Sequence, residues 1–335
     1  MKRSDSMQAA VLYDVDDIRI ETRPVPKIGD GEILVQTRAA GICTGDIMGW
    51  YIRRKAPLVL GHEPAGVVAE SNSDAFAPGD RIFVHHHAPC FECRACTRGD
   101  YVQCASWRSS SIDPGGLAEY FRVPRENIRD SLKLPESMPF ADGSLIEPLA
   151  CVMKSLRRSD VRRGDSMLVI GLGVMGLMHA LVARSRGVHV SGIDFNEARR
   201  AFAGSLGISA FAPGAGGGGA DVVICGPGTP EALRNAIALV APGGTVVMFT
   251  PLEPSIPFTF DPNDLYFRDV TFVPSYSCGP TDTREAFDII SRGVVTAERL
   301  GASYYSLAEA PAAYAALQRA EILKPIVTFE PTLFS

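Results

Sequence analysis

The chain has 335 residues, 46% hydrophobic and 21% charged, with a formal net charge of −5. Such a length is too great for one comfortable core and predicts two domains. The acidic balance argues against nucleic acid or an anionic membrane as partner, and no apolar run reaches the roughly 18 residues needed to span a bilayer.

The N-terminus lacks the apolar core of a signal peptide, and Met1 to Ser6 reads as a polar, disordered extension. From Met7 to about Leu149 the pattern is of short strands and turns. Val11-Leu12 and Ile18 to Ile20 flank Asp16-Asp17 as in a hairpin, and Glu32 to Thr37 is a strand candidate. Pro78-Gly79-Asp80 is a turn feeding a strand over Arg81 to Val84. From about Cys151 to Ser277 strands and helices alternate: strands Ser166 to Ile170, Val188 to Ile193, Asp221 to Cys225, Gly244 to Thr250 and Val270 to Pro274, with helices Val174 to Arg186, Glu197 to Leu206 and Pro230 to Val240. Alternation of this kind predicts a doubly wound parallel sheet. Two amphipathic helices, Thr283 to Arg292 and Leu307 to Ala320, and a strand Lys324 to Phe329 close the chain.

Cys90, Cys93, Cys96 and Cys104 stand within fifteen residues. Without a secretory signal this spacing points to a tetrahedral four-thiolate structural zinc, not to disulfides. No helix-borne His pair follows, so the segment is a lobe and not a zinc finger. Eight cysteines, four of them in one lobe, indicate a reducing compartment, and the expected location is the cytoplasm.

Gly171-Leu172-Gly173-Val174-Met175-Gly176 follows an apolar strand and opens a helix. Gly171 permits the tight turn, Gly173 lets a pyrophosphate approach the backbone, and Gly176 allows close helix–strand packing. The start of the helix, at Val174 and Met175, then meets the phosphates. Asp194 ends the next strand, 18 residues after Gly176, where a carboxylate accepts ribose hydroxyls and repels a 2′-phosphate, favouring NAD over NADP. Arg199 and Arg200 lie on the following helix, as a cofactor contact or a solvated basic face.

A second metal constellation is Cys43, His62, Glu63 and Glu147. One thiolate, one imidazole and a carboxylate suit a zinc that keeps a position open for substrate oxygen. Glu147 falls in the near-apolar stretch Ser144 to Ala150, where an unpaired carboxylate is costly. Asp46 is placed to accept the second N–H of the His62 ring.

Taken together these segments resemble the zinc-dependent medium-chain dehydrogenases, closest to the sorbitol and threonine dehydrogenase branch. The matching segments are Gly41 to Asp46, Gly61 to Gly66, the cysteine lobe, Glu147 to Ala150 and Gly171 to Gly176. The resemblance implies an α/β architecture: a GroES-like β-rich catalytic domain over residues 1–149, with 278–335 returning to it, and a Rossmann cofactor domain over 150–277. It implies two zincs per chain, one structural and one catalytic in the cleft between the domains. Cys43, His62 and Glu147 hold the catalytic zinc, with Glu63 a direct ligand or alternating with Glu147. The implied reaction is reversible oxidation of a secondary hydroxyl to a ketone, by zinc-alkoxide formation and hydride transfer to the nicotinamide.

Three features depart from the family pattern. Gly45 replaces the hydroxyl residue that usually starts a proton relay, so the relay begins at Thr44 or passes through water; Met48 replaces a relay histidine; and the run Gly214 to Gly219 stands where relatives have a helix. Trp50, Tyr51, His86 and His87 fall in segments that line the pocket in relatives, which favours a polyol, sugar or hydroxy-amino substrate. His85, His86 and His87 are read as strand neighbours pointing to opposite faces, which disfavours a third zinc. Arg53, Arg54 and Lys55 read as a solvated basic turn. Two other classes of function share parts of this pattern: a zinc-ribbon nucleic-acid binder, which the charge disfavours, and a catalytically silent NAD-binding sensor, which needs the glycine loop but not Cys43, His62 and Glu147. The resemblance, with the apolar edge pattern of Val270 to Val273, implies a homodimer or homotetramer.

Overall fold

A computed structural model describes residues 4–216 and 218–329. The chain divides into two compact units: one from the segments up to Pro148 and from Cys278 onward, the other Leu149–Ser277.

In the first unit the expected hairpin forms from Ser6–Asp14 and Asp17–Pro24, in antiparallel register with Ala10 opposite Ile20, and Leu58–Val59 adds a third strand. A second, seven-stranded sheet is organised around Ile33–Gly41. One edge of that strand pairs antiparallel with Glu63–Ser71. The other edge is shared: Ile33 to Gln36 pair with Tyr120–Val123, and Ala39 to Gly41 pair with the closing strand Lys324–Thr328. The strand therefore runs on past Thr37, because partners on both sides override the weak strand preference of its alanines. Gly41 faces Glu63 on one side and Ile326 on the other, which brings Glu63 and Lys324 to the same point from opposite ends of the sequence.

Two large apolar clusters of this unit pack around the sheet strands. Ile33, Val35, Val68, Ile82, Phe121 and Val123 form one, and Ala40, Ile42, Ile52, Leu60, Tyr314 and Val327 belong to the other. The architecture is GroES-like.

The second unit holds six parallel strands in the spatial order Ser209–Phe211, His189–Ile193, Ser166–Ile170, Ala220–Cys225, Val240–Met248, Thr271–Pro274. In sequence rank that order is 3-2-1-4-5-6, the Rossmann arrangement, whose ligand crevice lies where the strand order reverses. Helices Val174–Ser185, Glu197–Ser205 and Pro230–Leu239 connect the strands. Asn196 caps the second by accepting the N–H of Arg199, and Thr229 caps the third by accepting that of Ala232, followed by Pro230 at a position that needs no N–H. Between Phe211 and Ala220 the described residues form no helix; Gly217, inside the glycine run, lies outside the described residues.

The longest helix without a counterpart in the sequence expectations carries a site residue. Ile146–Ser159 starts within the stretch around Glu147 and carries that carboxylate in its first turn.

Candidate active site

The cysteine lobe is built from irregular chain punctuated by two short helices, Arg94–Thr97 and Ala105–Ser109, the second burying Trp107. The Sγ atoms of Cys90 and Cys96 are 3.9 Å apart, those of Cys93 and Cys96 3.6 Å, and those of Cys90 and Cys104 3.6 Å. A tetrahedron with zinc–sulfur bonds of ~2.3 Å has edges of ~3.8 Å, so the cage already has the dimensions of a zinc site. All four thiols are free of disulfides. Burial and the neighbouring thiols push Cys96 up to about 12, whereas Cys104, despite burial, is held down to about 6 by the backbone N–H groups of Cys90 and Trp107. The residues fit the metal the spacing predicts.

The second constellation lies in the same unit. Cys43, His62 and Glu63 bring one ligand atom each to within 4.8 Å of one another. Cys43 follows the strand Ile33–Gly41 and caps a 3-10 turn, Thr44–Ile47, its sulfur accepting the N–H of Gly45 at 3.3 Å. His62 immediately precedes the strand Glu63–Ser71. Asp46 is buried, with Oδ1 3.6 Å from His62 Nδ1, and Tyr314 donates its hydroxyl to Oδ2 at 3.3 Å. Burial opposes charge on His62, yet Asp46 and Cys43 raise its pKa well above the usual imidazole range. Burial raises Cys43, Asp46 and Tyr314 as well.

Glu63 shows how the cluster is wired. The ammonium of Lys324, itself 1% exposed, donates to Glu63 Oε2 and to the carbonyl of Ile42. A Cβ at position 41 would collide with that same oxygen, so glycine there admits the pair. Glu63 Oε1 is buried and has no hydrogen-bond partner among the described residues. A carboxylate oxygen left unpaired beside a thiol and an imidazole fits a cation. Neither Lys324 nor Tyr314 was among the sequence candidates.

Glu147 is buried, which raises its pKa, and the donors near it include His85 and His86; the ligand atoms of these three lie within 4.8 Å of one another. The histidine run corrects one sequence expectation. The strand ends at Phe83, so His85 to His87 follow irregular backbone and strand alternation does not separate them. His85 Nδ1 hydrogen-bonds Asp130 Oδ2 at 2.6 Å. The His86 ring lies 5.0 Å from that of His62. His87 turns toward the lobe, its Nδ1 bonded to the Ser110 carbonyl at 2.6 Å and its ring 4.4 Å from Trp107. Burial lowers His86 well below the ordinary value and His87 to about 4, so both rings are neutral at pH 7. Trp50 and Tyr51 lie on the short helix Gly49–Ile52, with Lys55 donating to the Tyr51 hydroxyl at 2.8 Å. Thr44 is exposed, and neither Gly45 nor Met48 carries a titratable group.

In the second unit Gly171 has φ of +90°, and Gly173 caps the helix that begins at Val174 and Met175. A Cβ at Gly176 would strike the Gly171 carbonyl oxygen, so the loop closes only with glycine there. Asp194 is buried at the end of its strand. Its Oδ2 accepts the N–H of Leu172 at 2.7 Å and its Oδ1 that of Asn196 at 2.8 Å. These bonds fix the carboxylate beside the glycine loop and leave acceptor capacity on both oxygens. Arg199 Nη1 stands 3.9 Å from Asp194 Oδ2, while Arg200 donates to the Asp194 and Phe195 carbonyls at 2.9 Å, which makes Arg200 a structural contact.

The chain is similar to known proteins in sequence and in fold. Residues 29–136 match the alcohol dehydrogenase GroES-like domain family and residues 174–292 the zinc-binding dehydrogenase family. D-xylulose reductase A of Aspergillus oryzae is 27% identical over 345 residues, covering 95% of each chain. Among solved structures, a candidate zinc-binding dehydrogenase from Sinorhizobium meliloti 1021 bound to NADP superposes with a TM-score of 0.86 at 28% identity, covering 97% of this chain and 100% of the other. An alcohol dehydrogenase from Thermus sp. ATN1 gives 0.85 at 26% identity, over 97% of this chain and 100% of that one. With thiolate cage, Cys–His–Glu donors, glycine loop and 3-2-1-4-5-6 sheet in one chain, the protein belongs to the zinc-dependent medium-chain alcohol dehydrogenase superfamily.

Proposed function

We propose that this enzyme, an oxidoreductase acting on CH–OH groups, reversibly oxidises a secondary hydroxyl of a polyol, sugar or hydroxy-amino compound with NAD. The observation that carries this reading is the Cys43–His62–Glu63 donor group with its unpaired Glu63 oxygen. When bound there, zinc supplies Lewis acidity that lowers the pKa of a substrate hydroxyl, and the nicotinamide supplies the hydride acceptor. The first unit is the catalytic domain, residues 1–149 with 278–335, and residues 150–277 form the cofactor domain.

Cys43 and His62 would hold the metal, and Asp46 orients the His62 ring, its own carboxylate held by Tyr314. Glu63 would offer the metal its unpaired oxygen while Lys324 holds the other. Glu147 is the alternate carboxylate. Trp50, Tyr51 and His86 line the substrate side, and His87 supports the lobe. The proton leaves through the exposed Thr44 hydroxyl or through water. The four-cysteine lobe holds a second, structural zinc.

The glycine loop and helix N-terminus take the pyrophosphate, and Asp194 accepts the ribose hydroxyls. Arg199 is close enough to Asp194 to be neutralised by it, which supports NAD over NADP. The name of the Aspergillus relative supports a polyol-type substrate, as do the polar side chains at the site. The working location is the cytoplasm, and the assembly is a homodimer or homotetramer. Among the described residues no helix is long and apolar enough to cross a membrane.

A screen of polyols, sugars and amino alcohols with NAD, read by absorbance of the reduced cofactor, identifies the substrate. Cys43→Ala and His62→Ala are expected to abolish turnover and leave NAD affinity within about threefold. Near wild-type turnover after loss of that zinc would sink the mechanism.

A further inference from the structure

A second group of metal-type donors lies beside the first. His85 is fully buried and gives Nδ1 to Asp130 at 2.6 Å, and the other Asp130 oxygen accepts the Thr283 hydroxyl at 2.8 Å. In the neutral ring that donates from Nδ1 across this bond, Nε2 presents a lone pair. A carboxylate behind a histidine is the usual support of a metal-bound imidazole. Asn127 donates its side-chain amide to the carbonyls of both His85 and His86, which pins the backbone of the run.

In front of Nε2 the donors converge. The ligand atoms of His85, His86 and Glu147 lie within 4.8 Å of one another. Cys278 Sγ is 3.6 Å from His85 Nε2 and 4.0 Å from Glu147 Oε1. A nitrogen and a sulfur sharing one tetrahedral zinc stand ~3.5 Å apart. His86 Nδ1 is buried with no hydrogen-bond partner among the described residues. Lys324, the nearby buried cation, is already engaged by Glu63. Two imidazoles and a carboxylate, with a thiol adjoining, form a donor set suited to zinc.

We propose that His85, His86 and Glu147, with Cys278 adjoining, form a third zinc station, distinct from the cysteine lobe and from Cys43–His62–Glu63. It rests on the assignment of Cys43 and His62 to a zinc of their own, and its test separates the two. Glu147 is thereby the link between neighbouring stations, since it also feels the His62 and Glu63 charges. Asp130, which accepts from His85 and from Thr283, acts through His85, so both are positioning residues.

The experiment is a metal titration of the full-length protein with Zn²⁺, with ions bound per chain read by mass spectrometry. A parallel titration with Co²⁺ reports thiolate coordination by charge-transfer absorption. The wild type is expected to take one zinc more than the lobe and the Cys43 station account for. His86→Ala loses that one ion alone, and Cys43→Ser loses a different one together with part of the thiolate absorption. Asp130→Asn keeps the packing and weakens the third ion by about 10- to 100-fold, the range for lost outer support of a metal histidine. The cobalt signal of the lobe verifies folding in each variant. A wild type saturating without the extra ion overturns the proposal, as does loss of the Cys43-dependent ion in His86→Ala, which would make the histidines part of one centre. If His86→Ala loses its ion while Cys43→Ser loses none, the third station stands and the assignment of Cys43 falls.

Discussion

At the scale of single residues, the contact that decides most is the pair Glu63 and Lys324, buried to 0% and 1% exposure. Removing one partner of a buried ion pair leaves an uncompensated charge, at a cost of about 3–5 kcal/mol. Lys324→Met is therefore expected to lower unfolding free energy by about that amount in urea titration at fixed zinc. Adding Glu63→Gln recovers most of the loss; a loss below ~1 kcal/mol in the single variant would show that the pair is not held as described. Thr44 is a second decisive position, because Gly45 and Met48 offer no proton carrier. Thr44→Val is expected to reduce turnover at neutral pH about 10-fold or more, and Thr44→Ser to preserve it. Equal rates for both across pH would leave water as the route. Cys43, His62, Glu63 and the four lobe cysteines were legible in the sequence because their spacing is local. Lys324, Tyr314 and Asp130 were not, since their partners stand 261, 268 and 45 residues away. The one available sign was a lone lysine inside the apolar run Ile322 to Val327, which calls for a buried acid.

At the scale of elements, helix Val174–Ser185 ties its position to the protonation of one histidine. His179 is fully buried, with Nε2 2.9 Å from the Ser155 hydroxyl, Nδ1 2.7 Å from the Met175 carbonyl and Phe249 edge-on to its ring at 4.8 Å. Burial lowers its pKa from 6.5 to about 4. Above about 6.5 the ring is neutral in both folded and unfolded chains, and its contribution is constant. Between 6.5 and about 4 the unfolded chain binds the proton and the folded one does not, so stability falls as pH falls. The whole difference is about 3 kcal/mol. Unfolding followed from pH 7 to pH 4 is expected to show that slope, and His179→Gln to remove it. An unchanged slope in the variant would assign the acid sensitivity elsewhere. Five of the strands of this unit and its three connecting helices followed from the sequence pattern to within a few residues, whereas the short strand Ser209–Phe211 and the helix Pro262–Phe267 did not. The exceptions are instructive: Val240–Met248 starts earlier than Gly244 because Val240 pairs with Ala220 across a register shift that no local pattern encodes. Helix Ile146–Ser159 went unread although it is amphipathic, because Glu147 and Pro148 in its first turn mask where it starts.

At the scale of the whole molecule, the Rossmann sheet leaves one feature unexplained by a single chain. Thr271–Pro274 ends the strand order, paired on one side only with Val240–Met248. Around it stand apolar side chains that a monomer exposes: Phe272 at 37%, Phe260 at 50%, Tyr266 at 75% and Phe267 at 79%. An unpaired strand edge rimmed by aromatic groups is a template for a second chain, and a two-fold axis beside it would pair the same strand from each copy. Pro274 donates no N–H, which confines such pairing to Thr271 through Val273. Burying the four aromatic groups from both copies removes on the order of 1,000 Å² of surface, within reach of a standard interface once the backbone edge is added. The protein is thus expected to run as a dimer or tetramer in light scattering at micromolar concentration. Tyr266→Asp combined with Phe267→Asp places like charges across the axis and desolvates them, which should yield a monomer that keeps its zinc content and its circular dichroism spectrum. A wild type that is already monomeric at that concentration would refute the interface, and a double variant that stays oligomeric would move it to another face.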